Sequence, residues 1–351
     1  MPNNISLTEN GKALIIIDQT LLPAEERQLT LSTRDEFFEA IASLQVRGAP
    51  AIGIFAAYAM YLSAAVSQAE DYLGFLAEVY KDEAFLNSAR PTAVNLSAMT
   101  SRLRQLVVSL EGTPLPKIIA AMKDEAEAIQ KEDMHMCRAI AEYGLSLLKE
   151  GDGVLTYCNA GELATSRYGT ALGPLFLAKE QGMRLHAWCS ETRPLLQGAR
   201  LTTYELCRAG IDNTLICDNM ASIVMKEGKV QACLVGCDRV ARNGDTANKI
   251  GTSAVAILAK FYGIPFYVLG PSSSFDFGCA SGTSIEIELR SQSEIKSAYF
   301  KEPTALPEVA CYNPSFDVTD NSLITAIVTE RGICWPPFED SLRELFTKEM
   351  R

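Results

Sequence analysis

GDGVLTYCNAG, residues 151–161, marks the point at which the pattern of the sequence changes. Before it, nearly every segment has a helical period. After it, short apolar runs alternate with helical segments of roughly 10 to 20 residues, a pattern that predicts a parallel sheet with right-handed crossovers and helices on both faces. The runs are VLTYC (154–158), RLHAWCS (184–190), NTLICD (213–218), ACLVGCD (232–238) and PFYVLG (265–270).

The chain before residue 150 predicts a mostly helical lobe with a small β element. ALIIIDQTLLPAEERQLTLS (13–32) has the pattern of two short strands around a turn at Leu22-Pro23-Ala24, and Ser32-Thr33 can cap the next helix. We therefore expect a helical domain over 1–149 and an α/β domain over 150–351. The helical segments are 35–45, 50–69, 70–88, 92–110 and 116–149.

Composition excludes several classes of function. The formal net charge of -11 should repel nucleic acid and anionic membranes, although a few Arg and Lys in a cleft could still bind a small phosphorylated substrate. The ten cysteines are scattered without a CxxC pair, and the two histidines make a Cys/His zinc site improbable. We expect a cytoplasmic protein with reduced thiols and neither signal peptide nor membrane span.

The carboxyl ends of the predicted strands are the expected site, because ligands of parallel α/β sheets bind there. All five runs end in polar or reactive residues, although helix caps also favour Asp, Asn and Ser. The capping interpretation stays open for Asp218 and Ser272–Ser274. The endings are CNAG (158–161), ETRP (191–194), DNM (218–220), DR (238–239) and GPSSS (270–274).

Cys158 and Asp238 are the candidate chemical groups. Cys158 lies at a sharp junction, and a helix N-terminus expected near residue 161 would favour its thiolate. Only His135 and His186 exist as partners, so a Cys/His protease is disfavoured. Asp238 is a candidate proton donor if desolvation keeps it protonated; a structural ion pair with Arg239 or Arg193 remains the alternative.

Clusters of Arg, Lys or amide residues beside small residues could bind phosphate at helix starts. A small residue lets backbone N–H groups approach an anion at the positive end of a helix. The sequence has neither GxxxxGK[ST] nor GxGxxG, so ATP and dinucleotides are not indicated. The clusters are Arg47-Gly48-Ala49, Arg90-Pro91, Gln197-Gly198-Ala199-Arg200 and Asn248-Lys249.

Longer motifs resemble those of the methylthioribose-1-phosphate isomerase family over nearly the whole chain. The shared pattern runs from IDQTLLP (17–23) to LITAIVTERG (323–332). Motifs of this length are highly specific. They also include VRGAPAIG (46–53), RPTAVNL (90–96), CNAGELAT (158–165), ETRPLLQGARLT (191–202), DNMA (218–221), DRVARNGDTANKIGT (238–252) and YNPSFDVT (312–319).

The resemblance implies a Rossmann-like C-terminal domain packed on the helical lobe, an active site between them and a homodimer. It implies that a 5-substituted ribose 1-phosphate is isomerised to the ribulose 1-phosphate, without metal or other cofactor. By motif position, Asp238 would be the acid at the ring oxygen and Cys158 the base. The implied substrate and phosphate contacts are Arg47, Gly48, Ala49, Arg90, Gln197, Asn248 and Lys249.

Departures from the family pattern leave the C5 substituent open, so 5-deoxyribose 1-phosphate is a second candidate substrate. Tyr157 stands where His is usual, Cys237 where Ala is usual and Ser222 where Gly is usual, and Ser273–Asp276 replaces a shorter element. Tyr157 and Phe275 are the expected modifiers of the far end of the pocket. Two other functions stay open: a ribose-1,5-bisphosphate isomerase, and a non-catalytic regulatory subunit of a translation initiation exchange factor, which has a similar fold.

Overall fold

The structure, a computed structural model, describes residues 4–91 and 93–347. The chain divides into two compact units, one formed by Met1–His135 with Glu162–Arg167 and the other by Met136–Gly161 with Tyr168–Arg351. The division into domains at residues 149 and 150 stays a prediction. No helix among the described residues is long and apolar enough to cross a membrane.

The first unit has the predicted helical character. Thr33 caps its first helix as expected, with Glu36 completing a capping box. A small antiparallel sheet precedes the helices and contains one strand more than the sequence predicted. The strands are β1 (Ile5–Leu7), β2 (Leu14–Ile17) and β3 (Gln28–Leu31), and the helices are α1 (Arg34–Ala42), α2 (Ala49–Ala65), α3 (Tyr72–Ser88), α4 (Val94–Ser109) and α5 (Leu115–Leu145), of which the last crosses into the second unit.

The second unit contains a seven-stranded sheet in the order β14-β13-β10-β7-β4-β5-β6, parallel except for β14. All five apolar runs are strands, as predicted. The strands are β4 (Gly153–Tyr157), β5 (His186–Ser190), β6 (Asn213–Ile216), β7 (Ala232–Val235), β10 (Phe266–Leu269), β13 (Ala326–Thr329) and β14 (Gly332–Cys334). The helices are α6 (Gly173–Glu180), α7 (Thr203–Arg208), α8 (Ala221–Lys226), α9 (Thr252–Tyr262), α10 (Ser293–Lys296) and α11 (Phe338–Thr347).

Both faces of this sheet are covered. Val154 of β4 belongs to a core that includes Leu175 of α6, whereas the next residue, Leu155, belongs to a second core that includes Val224 of α8 and Val255 of α9. Alternate residues of a strand point to opposite faces, so burial on both sides explains why the strand sequences are continuous apolar runs.

The strand order places the two candidate chemical groups at neighbouring strand ends. Strand β4 pairs with β5 on one side and with β7 on the other, so the direction of the connections reverses between β4 and β7. Such a reversal is where parallel α/β sheets bind ligands. Tyr157 pairs with Val235, which puts Cys158 and Asp238 just beyond the carboxyl ends of adjacent strands.

A second, four-stranded sheet follows β7 and was not predicted from the sequence. It has the order β11-β8-β9-β12 and consists of β8 (Arg239–Ala241), β9 (Thr246–Lys249), β11 (Phe275–Asp276) and β12 (Phe316–Thr319). Because β8 begins directly after Asp238 and β9 ends with Asn248 and Lys249, this sheet positions three of the predicted site residues.

Candidate active site

The backbone of Cys158 has an unusual conformation that hydrogen bonds hold on both sides. Its φ is 66°, in the left-handed region that residues other than glycine seldom adopt. The Cys158 N–H donates to Thr192 Oγ1 at 2.9 Å, and its carbonyl accepts from Thr202 Oγ1 at 2.7 Å. The side chain is half-buried. The conformation turns the chain sharply out of β4, as the sequence predicted.

The α-helix expected to begin near residue 161 does not begin there. A single 3-10 turn covers Glu162–Ala164, and α6 starts only at Gly173. No helix continues from residue 161 because the chain leaves the second unit there, and Glu162–Arg167 belongs to the first unit. The support for Cys158 therefore comes from side chains of other loops.

One of those loops, between β5 and α7, is fixed by Asp218. Thr192 also has a left-handed φ of 66°. The Asp218 carboxylate accepts the N–H groups of Thr192 at 2.8 Å and Arg193 at 2.7 Å. The capping interpretation of Asp218 is wrong, because the carboxylate binds a neighbouring loop and α8 starts without a side-chain cap.

Tyr157, the residue before Cys158, is buried and contacts Asp218. It is 3% exposed, hydrogen-bonds to Asp218, and has its pKa raised mainly by burial and further by the Asp218 charge. A Cβ at Gly251 would collide with the Tyr157 hydroxyl, and Gly251 has a φ of 102°. Tyr157 is thus a core residue that contacts two site loops, and its effect on the far end of the pocket stays a prediction.

The residue after Cys158 is fixed inside the same unit. Asn159 is buried and donates through Nδ2 to Glu205 Oε1 at 2.7 Å and to Thr202 Oγ1 at 3.2 Å. Glu205 of α7 is fully buried, and its carboxylate occupies the space that a Cβ at Gly161 would need. Residue 161 must therefore be glycine, because its Cα lies too close to the Glu205 carboxylate to carry a side chain.

Gln197, one of the predicted substrate contacts, has a buried side-chain oxygen that could bind a ligand. Its side chain is 5% exposed, and its Oε1 is buried without a hydrogen-bond partner among the described residues. An unsatisfied buried acceptor costs about 1 to 3 kcal/mol, which a hydroxyl donor on a ligand would recover. Gln197 lies in the loop that follows β5, the strand next to β4.

Asp238 has very different surroundings from Cys158. Its side chain is exposed, so burial in the protein alone does not supply the desolvation expected of a protonated acid. Its N–H donates to the Ala247 carbonyl at 2.9 Å. Of the two proposed ion-pair partners, Arg239 lies 3.7 Å from Asp276, and Arg193 donates at 2.7 Å to the carbonyls of Pro194 and Ile295.

Asn248 and Lys249 lie at the end of β9. Asn248 is buried and donates to Thr252 Oγ1 at 3.1 Å, while Lys249 Nζ donates to the Ser315 carbonyl at 3.1 Å and lies 4.7 Å from the centre of the Phe316 ring. These contacts orient an amide and an ammonium group beside the start of α9. An anion there would have a cation and a helix N-terminus within reach.

The remaining predicted contacts lie in the first unit. Helix α2 begins at Ala49 after Gly48, whose φ is 95° and whose missing Cβ would collide with the backbone of Ala164. Arg47 directly precedes this turn, and Arg90 lies in the loop before α4; both are half-buried. The helix start predicted after Arg47-Gly48 is present.

The contact between Thr202 and Cys158 was not predicted from the sequence. The Thr202 hydroxyl contacts the Cys158 carbonyl from a position 44 residues away in the chain, inside a π-helical turn at Gly198–Thr202. The polar ending ETRP included Thr192, but nothing in its pattern indicated a contact with Cys158. Among residues 4–91 and 93–347, no group of three or more His, Cys, Asp or Glu is arranged to hold a metal ion.

Comparison with known proteins defines the class. A model of the initiation factor 2 subunit family matches residues 45–336, and the chain therefore belongs to this family. Within it, a methylthioribose-1-phosphate isomerase of Symbiobacterium thermophilum is 55% identical over 345 residues, which cover 98% of this chain and 96% of the relative. A 5-deoxyribose 1-phosphate isomerase of Petrotoga mobilis is 54% identical over 342 residues, covering 97% and 98%. The resemblance drawn from the motifs is confirmed.

Solved structures give the same picture. A 5-methylthioribose 1-phosphate isomerase from Pyrococcus horikoshii is 40% identical with a TM-score of 0.93, covering 100% of this chain and 97% of that one. A structure described as translation initiation factor eIF-2B, subunit delta, from A. fulgidus is also 40% identical, with a TM-score of 0.89 and coverage of 98% and 99%. The α/β fold with a helical N-terminal part is therefore shared by proteins with both kinds of name.

Proposed function

We propose that this protein isomerises 5-methylthioribose 1-phosphate, 5-deoxyribose 1-phosphate or both to the corresponding ribulose 1-phosphate. The observation that carries the proposal is the near-full-length similarity to isomerases named for these two substrates. The two substrates differ only at C5. A change of a methylene or a similar group alters binding by about 1 to 3 kcal/mol, so one site can accept both.

Asp238 is the proposed acid and Cys158 the proposed base. The phosphate ester on C1 prevents simple opening to a free aldehyde, so the ring C–O bond must break as the ring oxygen takes a proton. Asp238 gives that proton, and the electron pair of the broken bond stays on the oxygen. Since the Asp238 side chain is exposed, we infer that a bound sugar phosphate excludes water from it.

Two routes can move hydrogen from C2 to C1 after the ring opens. In one, Cys158 removes the C2 proton to give an enol phosphate, which is then protonated at C1 as the C2 hydroxyl becomes a ketone. In the other, hydrogen moves from C2 to C1 as a hydride while Cys158 takes the C2 hydroxyl proton. Substrate deuterated at C2 separates them: complete retention of deuterium at C1 supports the hydride route, and exchange with solvent supports the enol phosphate.

The substrate contacts are proposed by motif position. Gln197 would accept a sugar hydroxyl with its buried Oε1, and Asn248 and Lys249 would contact the substrate beside the start of α9. Arg47, Gly48, Ala49 and Arg90 would contribute an arginine pair and backbone N–H groups that suit a phosphate.

The decisive experiment is NMR of the purified protein with methylthioribose 1-phosphate, 5-deoxyribose 1-phosphate and ribose 1,5-bisphosphate. We expect turnover of at least one of the first two. Cys158→Ser and Asp238→Asn should each lose about 10²- to 10⁴-fold in turnover while still binding product. Cys207→Ser and Asp35→Asn, at exposed positions, are the matched controls. Turnover near that of the wild type in either site variant would remove that residue from the mechanism.

A regulatory role is the second candidate function, because the similar structure from A. fulgidus is named as an initiation factor subunit. Failure to convert any of the three sugar phosphates, together with a stable complex with another protein, would favour it. Turnover of the bisphosphate alone would instead favour a ribose-1,5-bisphosphate isomerase.

We also propose that the second unit is Rossmann-like, because its strands, counted in chain order along the sheet, run 3-2-1-4-5-6 before the antiparallel β14. We propose the domains 1–149 and 150–351 and a homodimer in the cytoplasm. Light scattering after gel filtration tests the dimer, and expression of residues 150–351 alone tests the domain boundary.

A further inference from the structure

The conformation of Cys158 requires support from its surroundings. A left-handed φ on a residue with a Cβ is unfavourable, and such conformations persist only where neighbouring structure imposes them. The N–H and the carbonyl of Cys158 are each bound by a threonine hydroxyl, at 2.9 and 2.7 Å. The two peptide groups around the Cys158 Cα, which determine where its thiol points, are thus fixed from outside the strand.

Thr192 is suited to this contact by the direction of its hydroxyl. It donates to the Ser190 carbonyl at 3.1 Å, so its hydroxyl proton is committed there and a lone pair is left for the Cys158 N–H. Thr192 is completely buried and is β-branched. A β-branched residue with a positive φ is a rare outlier, which marks this loop as strained in the same way as Cys158.

The strain of Thr192 is in turn held by one carboxylate. Asp218 accepts from Thr192 N–H and Arg193 N–H with its two separate oxygens. Hydrogen bonds to a charged acceptor are among the stronger ones in proteins. Tyr157, the residue before Cys158, also hydrogen-bonds to Asp218. A continuous path therefore runs from Asp218 through Thr192 to Cys158.

We propose that Thr192 is a positioning residue for Cys158, and that Asp218 acts on Cys158 through Thr192. This inference rests on the proposed role of Cys158 as the base. Loss of the Thr192 oxygen allows the Cys158 peptide to relax toward an ordinary conformation and moves the thiol away from the substrate atom that it deprotonates. A misplacement of about 1 Å can cost about 10²-fold in rate without removing any reacting group.

The test compares Thr192→Val, which removes the oxygen at nearly constant volume, with Thr192→Ser, which retains it. The matched control is Thr329→Val, because Thr329 is equally buried and its hydroxyl also donates to a backbone carbonyl, that of Gly332. Each variant is measured for kcat, KM, the midpoint of urea unfolding and the rate at which iodoacetamide labels Cys158. Tryptic peptide 150–167 reports that rate, since Cys158 is its only cysteine.

We expect Thr192→Val to lower kcat by about 10- to 100-fold with KM within about threefold, and to change the labelling rate of Cys158 by about tenfold. Thr192→Ser should restore both quantities to within about threefold of the wild type. Thr329→Val should lower stability without altering either. The proposal is overturned if Thr192→Val, corrected for the folded fraction, matches Thr329→Val in kcat and in labelling.

Asp218→Asn provides a second variant if Thr192→Val does not fold. Its amide can accept from only one of the two N–H groups, so we expect a smaller loss of kcat in the same direction, about threefold to tenfold, with a shift in Cys158 labelling; unchanged kcat and labelling would overturn the path through Asp218. If the wild-type protein converts none of the sugar phosphates, the proposed function fails, yet the labelling rates still decide whether Thr192 and Asp218 position Cys158.

Discussion

The carboxyl ends of β4 and β7 are neighbours in the sheet but are built differently. At the end of β4, Cys158 is half-buried, and both its backbone polar groups are bound by side chains of another loop. At the end of β7, Asp238 is exposed and its N–H is bound by the backbone of β9. Cys158, the proposed base, is thus held in place by the protein itself, whereas we propose that a bound ligand completes the surroundings of Asp238, the proposed acid.

This difference suits the two proposed roles. A thiolate that attacks a C–H or O–H bond needs exact placement, because the transfer distance is short. A carboxylic acid that must be protonated at neutral pH needs removal of water, which a bound ligand can supply. Substitutions that disturb each strand end separately test this difference.

The two strand ends should differ most in the reactivity of their thiols. Cys237, directly before Asp238, is half-buried as a whole residue, like Cys158, but its thiol is desolvated, so its pKa is raised to about 12, mainly by burial and further by the charge of Asp238. At pH 9 its thiolate fraction in the native protein should be about 10³-fold below that of an ordinary cysteine. We therefore expect iodoacetamide to label tryptic peptide 150–167, with Cys158, far faster than peptide 230–239, with Cys233 and Cys237.

The same shift predicts a pH dependence of stability. Because the folded pKa lies above the unfolded one, the protonated thiol stabilises the fold fully below about pH 8.5 and this contribution is lost as the pH rises toward 12. Urea unfolding between pH 8 and 11 should show a decline that Cys237→Ala reduces. Rapid labelling of Cys237 in the native protein at pH 9 would mean that solvent reaches the Cys237 thiol at the end of β7, contrary to this prediction.

The next effect concerns the loop after Cys158. In Gly161→Ala the new methyl group would occupy the place of the buried Glu205 carboxylate and disturb its hydrogen bond with Asn159. We expect a loss of about 2 to 3 kcal/mol in the free energy of unfolding and a clear loss of turnover. The control is Gly278→Ala, whose Cβ would meet only the Asp276 side chain, at 3.3 Å. Equal stability of the two variants would show that the loop after Cys158 is not rigid.

The large sheet could be predicted from the sequence because its strands are buried on both faces. Continuous apolar runs such as VLTYC and ACLVGCD result from that burial, and each proved to be a strand. The small sheet could not be predicted in this way. Its strands are two to four residues long, and β9 has the sequence TANK, which carries no periodic pattern.

The site was predictable to the level of strand ends and no further. The positions of Cys158 and Asp238 follow from where two strands stop. Their surroundings depend on contacts distant in sequence: Thr192 lies 34 residues from Cys158, and the carboxylate of Asp218 lies 26 residues from Thr192. Local patterns identify a residue that can cap a helix but not the loop that it binds instead, which is why Asp218 was open to the wrong interpretation.

At the end of β7, a double-mutant cycle isolates the weaker contact between Gly270 and Cys237. A Cβ at Gly270 would collide with Cys237 Sγ, whereas the Cys237 Cβ would lie 3.8 Å away, an ordinary contact. We expect Gly270→Ala to lower the free energy of unfolding by about 1 to 2 kcal/mol and to lower turnover, because Cys237 must move and Asp238 follows it in the chain.

In Gly270→Ala/Cys237→Ala the sulfur is absent, so the loss of unfolding free energy should be smaller than the sum of the single losses by about 1 kcal/mol, and turnover should recover. Additive losses, measured by urea unfolding of the four proteins, would mean that Gly270 is required by its backbone rather than by the thiol, and that the end of β7 is as rigid as the end of β4.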